Sequence, residues 1–163
     1  MRIKELAENL ARECMSDLCA SDLMTQPPIS LCGRATIPEA LHLFLERGFH
    51  AAPVIDEAGM PIGVLSMADV MRHDLDRGTH ASHGDRDIPL PDGFELEDVD
   101  FARVEDIMTP TVFTIPKELR MPAIIQQMLD LDVHQLYVVD KNGLLIGVIT
   151  TKDIVRYLGY VLN

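Results

Sequence analysis

Apolar and polar positions follow the same order twice along this chain. Short apolar segments typical of strands alternate with segments whose apolar residues recur every three or four positions, the spacing of a helix with one buried face. A shift of 84 positions superimposes residues 22–72 on residues 106–156 without a gap, and 14 of the 51 aligned positions are identical. The pattern predicts a duplicated supersecondary unit that buries its core by packing against its copy.

Each copy is predicted to run strand, helix, strand, strand, helix, which places the chain in the α/β (α+β) class. The elements of the first copy are a strand at residues 29–31, a helix at 38–47, strands at 54–56 and 62–65, and a helix at 67–75. Thr36-Ile37-Pro38-Glu39 has the spacing of a capping box with proline in the first turn. In the second copy Asn142-Gly143 favours a tight hairpin turn, and the last helix is predicted over residues 151–158.

The segments outside the two copies have a different character. The predicted boundaries are an N-terminal helix at residues 1–19, a first repeat at 20–75, an acidic linker at 76–103 and a second repeat at 104–163. Residues 3–18 carry an amphipathic stripe that either packs on the protein itself or forms a dimer contact. Residues 73–100 hold nine acidic residues and two arginines, and we expect them to form an exposed, mobile strap. His73, His80 and His83 match no metal-ligand spacing, so a solvated linker is favoured over a metal site.

Composition limits the classes of function. A net charge of −12 argues against general nucleic-acid binding, which needs a basic surface to release counterions. No apolar run approaches the roughly 18 residues of a membrane span, and the N-terminus has no apolar signal core. The three cysteines lack the spacing of a zinc ribbon or a disulfide framework. The sequence therefore predicts a cytoplasmic protein that binds neither nucleic acid nor membrane.

In both copies a small hydroxyl residue ends an apolar strand, and an aspartate follows three positions later as a helix begins. The pairs are Ser66 with Asp69 and Thr150 with Asp153. One interpretation is structural, since this spacing is a variant of a capping box. The other is functional: a helix N-terminus attracts phosphate, a hydroxyl can donate to a phosphate oxygen, and an ionised aspartate can accept both protons of a ribose diol. The pattern alone leaves both interpretations open.

The repeats resemble the cystathionine β-synthase (CBS) domain, whose tandem pair is called a Bateman module. The matching motifs are Asp22-Leu23-Met24-Thr25 and Asp106-Ile107-Met108-Thr109 at the repeat starts, Pro53-Val54-Ile55-Asp56 and Tyr137-Val138-Val139-Asp140 in the middle, and the two hydroxyl and aspartate turns at the end. The resemblance covers residues 20–75 and 104–160. It implies two βαββα units around a pseudo-twofold axis, clefts that bind AMP, ADP, ATP or S-adenosylmethionine, and a regulatory role without catalysis. It also implies a homodimer.

The resemblance implies two binding clefts, each built from both copies. The first would take Val148, Thr150, Asp153, His134 and Gln135 with the nearby cation Lys152, and from the facing copy Thr25, Ile29, Phe49, His50 and Ala51. The second would take Val64, Ser66, Asp69, His50 and Ala51, with Thr109, Phe113, Val133 and His134 from the other side. In each cleft the aspartate would hold ribose, the hydroxyl residue would hold phosphate, and the valine would lie beside the base. Gln135 and Ala51 are neutral where the family often has a basic residue, which argues against tight binding of a triphosphate.

The first cleft is predicted to be the better site. Lys152 precedes Asp153 and Arg156 follows one turn later, whereas only Arg72 accompanies Asp69. Each nearby cation favours phosphate binding, because hydrogen bonds between ionised groups are stronger than those between neutral groups.

His50 and His134 occupy the junction of helix and strand in both copies. A packed or capping histidine is favoured there over a phosphate contact, which protonation near about pH 6.5 would strengthen.

Three functions compete. The first is a stand-alone sensor that changes conformation or assembly when an adenosine ligand binds. The second is an interaction or dimerisation scaffold with degenerate clefts, and the third and weakest is an enzyme, since no nucleophile with an adjacent base stands out. With one helix before the repeats and residues 159–163 after them, output is expected to pass through assembly or a separate effector protein.

Overall fold

The computed structural model describes residues 17–81 and 102–161. Its helices are α1 (Ala20–Leu23), α2 (Ile37–Arg47), α3 (Met67–Ala81), α4 (Val104–Ile107), α5 (Met121–Asp130) and α6 (Thr151–Val161). Its strands are β1 (Leu31–Cys32), β2 (Ala51–Ile55), β3 (Pro61–Ser66), β4 (Thr114–Pro116), β5 (Gln135–Val139) and β6 (Leu145–Thr150). The predicted α/β class, with strand, helix, strand, strand, helix in each repeat, is confirmed.

The chain divides into two compact units, and each unit draws on both halves of the sequence. Among the described residues, unit 1 comprises residues 17–29, 58–61 and 112–161, and unit 2 comprises residues 30–57, 62–81 and 102–111. The beginning of each repeat thus joins the unit that holds the sheet of the other repeat. The predicted boundaries follow the duplication in the sequence. The compact units do not coincide with them, because the start of each repeat makes its contacts with the sheet of the other repeat.

Unit 1 is built on the sheet β4-β5-β6, in which β4 is parallel and β6 antiparallel to the central β5. Successive strand residues point to opposite faces of a sheet. One face carries Leu136, Val138 and Ile149, which are fully buried in a core that α5 and α6 complete. The other face is therefore left to the remaining residues of β5 and β6.

The turn between β5 and β6 has the predicted Asn-Gly form. Gly143 has a φ of 84°, a conformation that suits glycine because it lacks a Cβ. The carboxylate of Asp140 accepts the N–H groups of Asn142 at 2.8 Å and Leu144 at 2.9 Å. The bond from Leu144 is the largest influence that lowers the pKa of Asp140 from its ordinary value.

Unit 2 is built on the sheet β1-β2-β3, with β1 parallel to β2. Strands β2 and β3 have the same order of buried and half-buried positions as β5 and β6. Val54, Leu65 and Phe44 are among the fully or almost fully buried residues of the core. The predicted capping box is confirmed, because the Thr36 hydroxyl accepts the Glu39 N–H and the Glu39 carboxylate accepts the Thr36 N–H at 2.8 Å.

Two repeated motifs meet inside each unit. In unit 1, Thr25 pairs with Val148 through two backbone hydrogen bonds of 2.9 and 3.3 Å, and the Met24 side chain covers Gly147. In unit 2, Thr109 pairs with Val64 through two bonds of 2.9 Å, and Met108 covers Gly63. The Asp-x-Met-Thr segment of one repeat thus extends the sheet of the other, and the glycine of the strand makes room for its methionine.

This close approach predicts that Gly147→Ala destabilises the protein. A Cβ on Gly147 would lie 2.8 Å from Met24 Cγ and 2.9 Å from Met24 Cβ, so the segment that carries Met24 must shift. Overpacking of this kind costs about 1–3 kcal/mol of unfolding free energy, which urea denaturation measures.

Gly159→Ala is the matched control, because nothing lies within 4 Å of a Cβ built on this glycine of α6. Alanine should stabilise that helix by about 0.5–1 kcal/mol. Equal midpoints for Gly147→Ala and the parent would show that Met24 does not cover Gly147 in solution.

Several element boundaries differ from the prediction. The strands predicted at residues 29–31 and 54–56 are Leu31–Cys32 and Ala51–Ile55, and the last helix, predicted over residues 151–158, runs over Thr151–Val161. The helix predicted to end at Leu75 continues to Ala81, so the first part of the predicted strap is helical. Apolar periodicity stops near Leu75, but helix propagation needs only one further backbone hydrogen bond per residue and no proline intervenes. Of the predicted N-terminal helix, residues 3–16 lie outside the described part, while Asp17 and Leu18 are not helical. Residues 82–100, the rest of the strap, also lie outside it.

Within residues 17–81 and 102–161, no helix combines the length and the apolar character that a membrane crossing requires. The same residues contain no group of three or more histidines, cysteines or acidic residues placed to hold a metal ion.

Candidate functional site

The turn from β6 to α6 holds Thr150 and Asp153 in a reciprocal arrangement. The Thr150 hydroxyl donates to Oδ2 of Asp153 at 2.6 Å, and the Thr150 N–H donates to the same oxygen at 2.9 Å. In return the Asp153 N–H donates to Thr150 Oγ1 at 3.3 Å. This is the geometry of a capping box, which satisfies amides at the helix N-terminus.

The turn from β3 to α3 repeats this arrangement in unit 2. The Ser66 hydroxyl and N–H donate to Oδ2 of Asp69 at 2.6 and 2.9 Å, and the Asp69 N–H donates to Ser66 Oγ at 3.2 Å. The structural interpretation of the repeated motif is therefore correct in both copies. The capping geometry also directs the hydroxyl proton to the carboxylate, so a hydroxyl that donates to phosphate would first have to give up this bond.

The other carboxylate oxygen of each aspartate meets an arginine. Arg156 Nη1 donates to Oδ1 of Asp153 at 3.0 Å, and Arg72 Nη1 donates to Oδ1 of Asp69 at 3.2 Å. The side chains of Asp153 and Asp69 are only 11% and 9% exposed, whereas the arginines are more than half exposed. Each unit therefore presents a nearly buried, oriented carboxylate whose Oδ1 is paired with an exposed arginine.

Four predicted site residues share one face of the sheet in unit 1. Gln135 is directly opposite Thr150, and Thr25 pairs with Val148 on the other edge of β6. Directly opposed residues of antiparallel strands project to the same side. Because the core residues of β5 and β6 occupy the opposite face, Thr25, Gln135, Val148 and Thr150 are brought together beside Asp153.

Tyr137 lies on the same sheet face, although the sequence analysis did not name it among the candidate site residues. It is directly opposite Val148, and its hydroxyl oxygen accepts a hydrogen bond from Gln135 Nε2 at 2.5 Å. Tyr137 is 2% exposed, and this burial raises the pKa of its hydroxyl above the ordinary value. Gln135 and Tyr137 are two positions apart in β5, so their side chains project to the same face. Predicting that this face also carries Val148 and Thr150 would have required the register between β5 and β6.

The first repeat lacks this polar pair. The residues aligned with Gln135 and Tyr137 are Ala51 and Pro53, which are half-buried and buried in β2. In unit 2 the residues brought together near Asp69 are thus Ser66 and the Val64 and Thr109 pair. The two units present the same carboxylate turn on sheet faces of different polarity.

The histidines contribute their backbone to these turns. The His134 carbonyl accepts the Thr151 N–H at 2.9 Å, and the His50 carbonyl accepts the Met67 N–H at 2.9 Å. Both imidazoles are exposed, and among the described residues neither makes a hydrogen bond or an ion pair. The interpretation of packed histidine side chains is therefore wrong, because both imidazoles are exposed. A phosphate contact for either histidine stays a prediction.

The remaining predicted residues lie in separate places of the two units. Phe113, which is 37% exposed, lines a shallow groove of about 450 Å³ in unit 1 together with Val112, Thr114, Gln127, Asp130 and Leu131. Ile29, Val133 and the exposed Lys152 also belong to unit 1. Phe49, His50 and Ala51 belong to unit 2. Their assignment to the two clefts stays a prediction.

Comparison with known protein families identifies the family to which the two repeats belong. The family model described as "CBS domain" matches residues 20–76 and 104–160, which is more than half of the chain. The chain therefore belongs to the CBS domain family, with two tandem copies, and the predicted family is confirmed.

Relatives of this chain include proteins of several kinds. It is 22% identical over 147 residues to an uncharacterized protein of Methanopyrus kandleri, with 90% of this chain and 63% of that protein covered. It is 26% identical to the chloroplastic CBS domain-containing protein CBSX1 of Arabidopsis thaliana, with 74% and 55% covered. It is 27% identical to the 5'-AMP-activated protein kinase subunit gamma of Kluyveromyces lactis, with 84% and 39% covered. The chain thus spans less than two thirds of the length of each of these relatives.

Solved structures share the fold. CBSX2 in complex with AMP superimposes with a TM-score of 0.69 at 23% identity, with 89% of this chain and 98% of that chain covered. The CBS domain pair of MJ0100 in complex with 5'-methylthioadenosine and S-adenosyl-L-methionine gives a TM-score of 0.66 at 20% identity, with 88% and 98% covered. At these identities the likeness establishes the fold.

Proposed function

We propose that this protein is a regulatory module that binds an adenosine-containing ligand, such as AMP, ADP, ATP or S-adenosylmethionine, at its two carboxylate turns. CBS domain pairs bind AMP or S-adenosylmethionine in related proteins, and such pairs generally regulate rather than catalyse. The observation that carries the proposal is the pair of nearly buried aspartates, each held in one orientation by its neighbouring hydroxyl. A carboxylate fixed in this way is already oriented to accept a ribose hydroxyl.

The turn of unit 1 is the stronger candidate. The arginines Arg156 and Arg72 occupy matching positions, so the difference in local charge rests on Lys152, which is exposed and has alanine at the matching position in unit 2. The Gln135 and Tyr137 pair adds hydrogen-bonding groups to the same sheet face. Both features favour a polar, anionic ligand at Asp153 over Asp69.

The alternative is an interaction scaffold, and one observation favours it. The capping boxes account for Ser66, Asp69, Thr150 and Asp153 without any ligand. Large apolar side chains are exposed at matching positions of both repeats, with Leu45 at 77% and Leu129 at 71%. In either case we propose a homodimer, or a separate effector protein, as the recipient of the signal.

Thermal unfolding with a nucleotide panel separates these proposals. A ligand present at about 100 times its dissociation constant adds about 2.7 kcal/mol to stability, which raises the melting temperature of a chain of this size by about 5–11 °C. We expect such a shift with at least one of AMP, ADP, ATP and S-adenosylmethionine, and a smaller one with GMP. The double variant Asp69→Ala, Asp153→Ala should lose it. No shift with any adenosine ligand, together with a stable dimer in light scattering, would favour the scaffold.

A further inference from the structure

The carboxylates of Asp153 and Asp69 have almost no acceptor capacity to spare. An ionised carboxylate offers about four acceptor positions. At Asp153 the described contacts fill both positions of Oδ2 with the hydroxyl and N–H of Thr150, and one position of Oδ1 with Arg156. Asp69 is filled in the same way by Ser66 and Arg72. A ribose diol brings two hydroxyl donors, so one existing contact must be released if both are to be accepted.

The arginine is the contact that leaves most readily. The capping contacts join residues three apart and hold the first turn of the helix, and a cap of this kind contributes about 0.5–2 kcal/mol. Arg156 instead reaches Asp153 with a long side chain that is 54% exposed. Exposed ion pairs of this type contribute little, because solvent screens them and two side chains must be held in place. Ligand entry therefore breaks the pair with Arg156 and leaves the cap intact.

A guanidinium that has left its carboxylate still prefers an anionic partner. Its planar fork of N–H donors matches the oxygens of a phosphate as well as those of a carboxylate. A phosphorylated adenosine ligand supplies such a partner, whereas an uncharged nucleoside does not. Loss of the ion pair is thus offset only when the ligand carries an anionic group.

We infer that Arg156 in unit 1, and Arg72 in unit 2, are specificity-determining residues that compete with ribose hydroxyls for Oδ1 of their aspartates. This inference rests on the proposed function and deepens it. Each arginine disfavours uncharged adenosine ligands and selects ligands that bear a phosphate. This competition therefore raises the ratio of AMP affinity to adenosine affinity.

Calorimetric titration of the full chain with adenosine and with AMP tests the inference. In Arg156→Ala the competing donor is gone, so adenosine should bind more tightly, by between about 1.4-fold and about fivefold, the range of an exposed ion pair. AMP should gain nothing or should bind more weakly, so the ratio of AMP affinity to adenosine affinity falls. Arg72→Ala, titrated in parallel, shows which unit is responsible.

Lys141→Ala is the matched control, because Lys141 is an exposed residue of the β5 to β6 turn and its removal changes the net charge by the same amount. It should leave the ratio of the two affinities unchanged. An unchanged ratio in both arginine variants, or an equal loss for adenosine and AMP, would overturn the inference while leaving the proposed function in place. A parent protein that binds neither adenosine nor AMP, nor any other adenosine ligand, would overturn both.

Discussion

Replacing Asp153 with alanine is expected to weaken adenosine nucleotide binding by about 10-fold to about 150-fold. Hydrogen bonds to an ionised group contribute about 1.5–3 kcal/mol each, and the variant removes the acceptor proposed for ribose. The loss should be similar for AMP and for adenosine, because both carry the ribose diol. Isothermal titration at equal ionic strength measures it.

Asp69→Ala is the control that separates binding from folding. Both substitutions remove the same capping contact with a neighbouring hydroxyl, at 2.6 Å in each unit, so they should lower stability by similar amounts. If the Asp153 turn is the better site, Asp69→Ala retains most of the affinity of the parent. The ranking is wrong if Asp153→Ala binds as well as the parent while Asp69→Ala does not.

The regular parts of this fold could be predicted because their signals are local. Thr36 and Glu39 are three positions apart and cap one helix, and Asn142-Gly143 forms the turn that its backbone preference indicates. The internal duplication supplied a second copy against which each element could be checked. The end of the helix at Ala81 was missed because the residues beyond Leu75 carry no apolar stripe, although no proline interrupts residues 76–81.

Long-range pairings could not be predicted in the same way. Thr25 of the first repeat pairs with Val148 of the second repeat, and both belong to unit 1. This pairing depends on tertiary contacts that an alignment of the repeats does not encode. The Gln135 and Tyr137 pair depends on strand register and on the side chain that one repeat has and the other lacks. Family resemblance had placed Thr25 with Asp153, but only as an expectation about a cleft.

The hydroxyl and aspartate motif shows why a pattern can leave two functions open. The same side chains can cap a helix and hold a sugar, since both tasks use an oriented carboxylate at a helix N-terminus. In the structure the cap uses Oδ2 and leaves Oδ1 to Arg156. Capping and ligand binding are therefore compatible, with different oxygens of one carboxylate serving each.

Phe44→Ala is expected to lower the free energy of unfolding by about 3–5 kcal/mol. Phe44 is 2% exposed in the core of unit 2, and truncation of a buried phenylalanine removes apolar contacts and leaves a cavity. Met128, 4% exposed, is the matching residue of unit 1, and Met128→Ala should cost about 2–5 kcal/mol. Urea denaturation followed by circular dichroism measures both losses.

The adjacent residues provide the matched controls for these two truncations. Leu45 and Leu129 directly follow Phe44 and Met128, but are 77% and 71% exposed. Their replacement by alanine should change stability by no more than about 0.5 kcal/mol, as for other surface positions. A loss in Leu45→Ala as large as that in Phe44→Ala would mean that a partner covers the Leu45 side chain in solution. That result would favour the scaffold hypothesis over the sensor hypothesis, because the apolar positions that are exposed in both repeats would then form an interface.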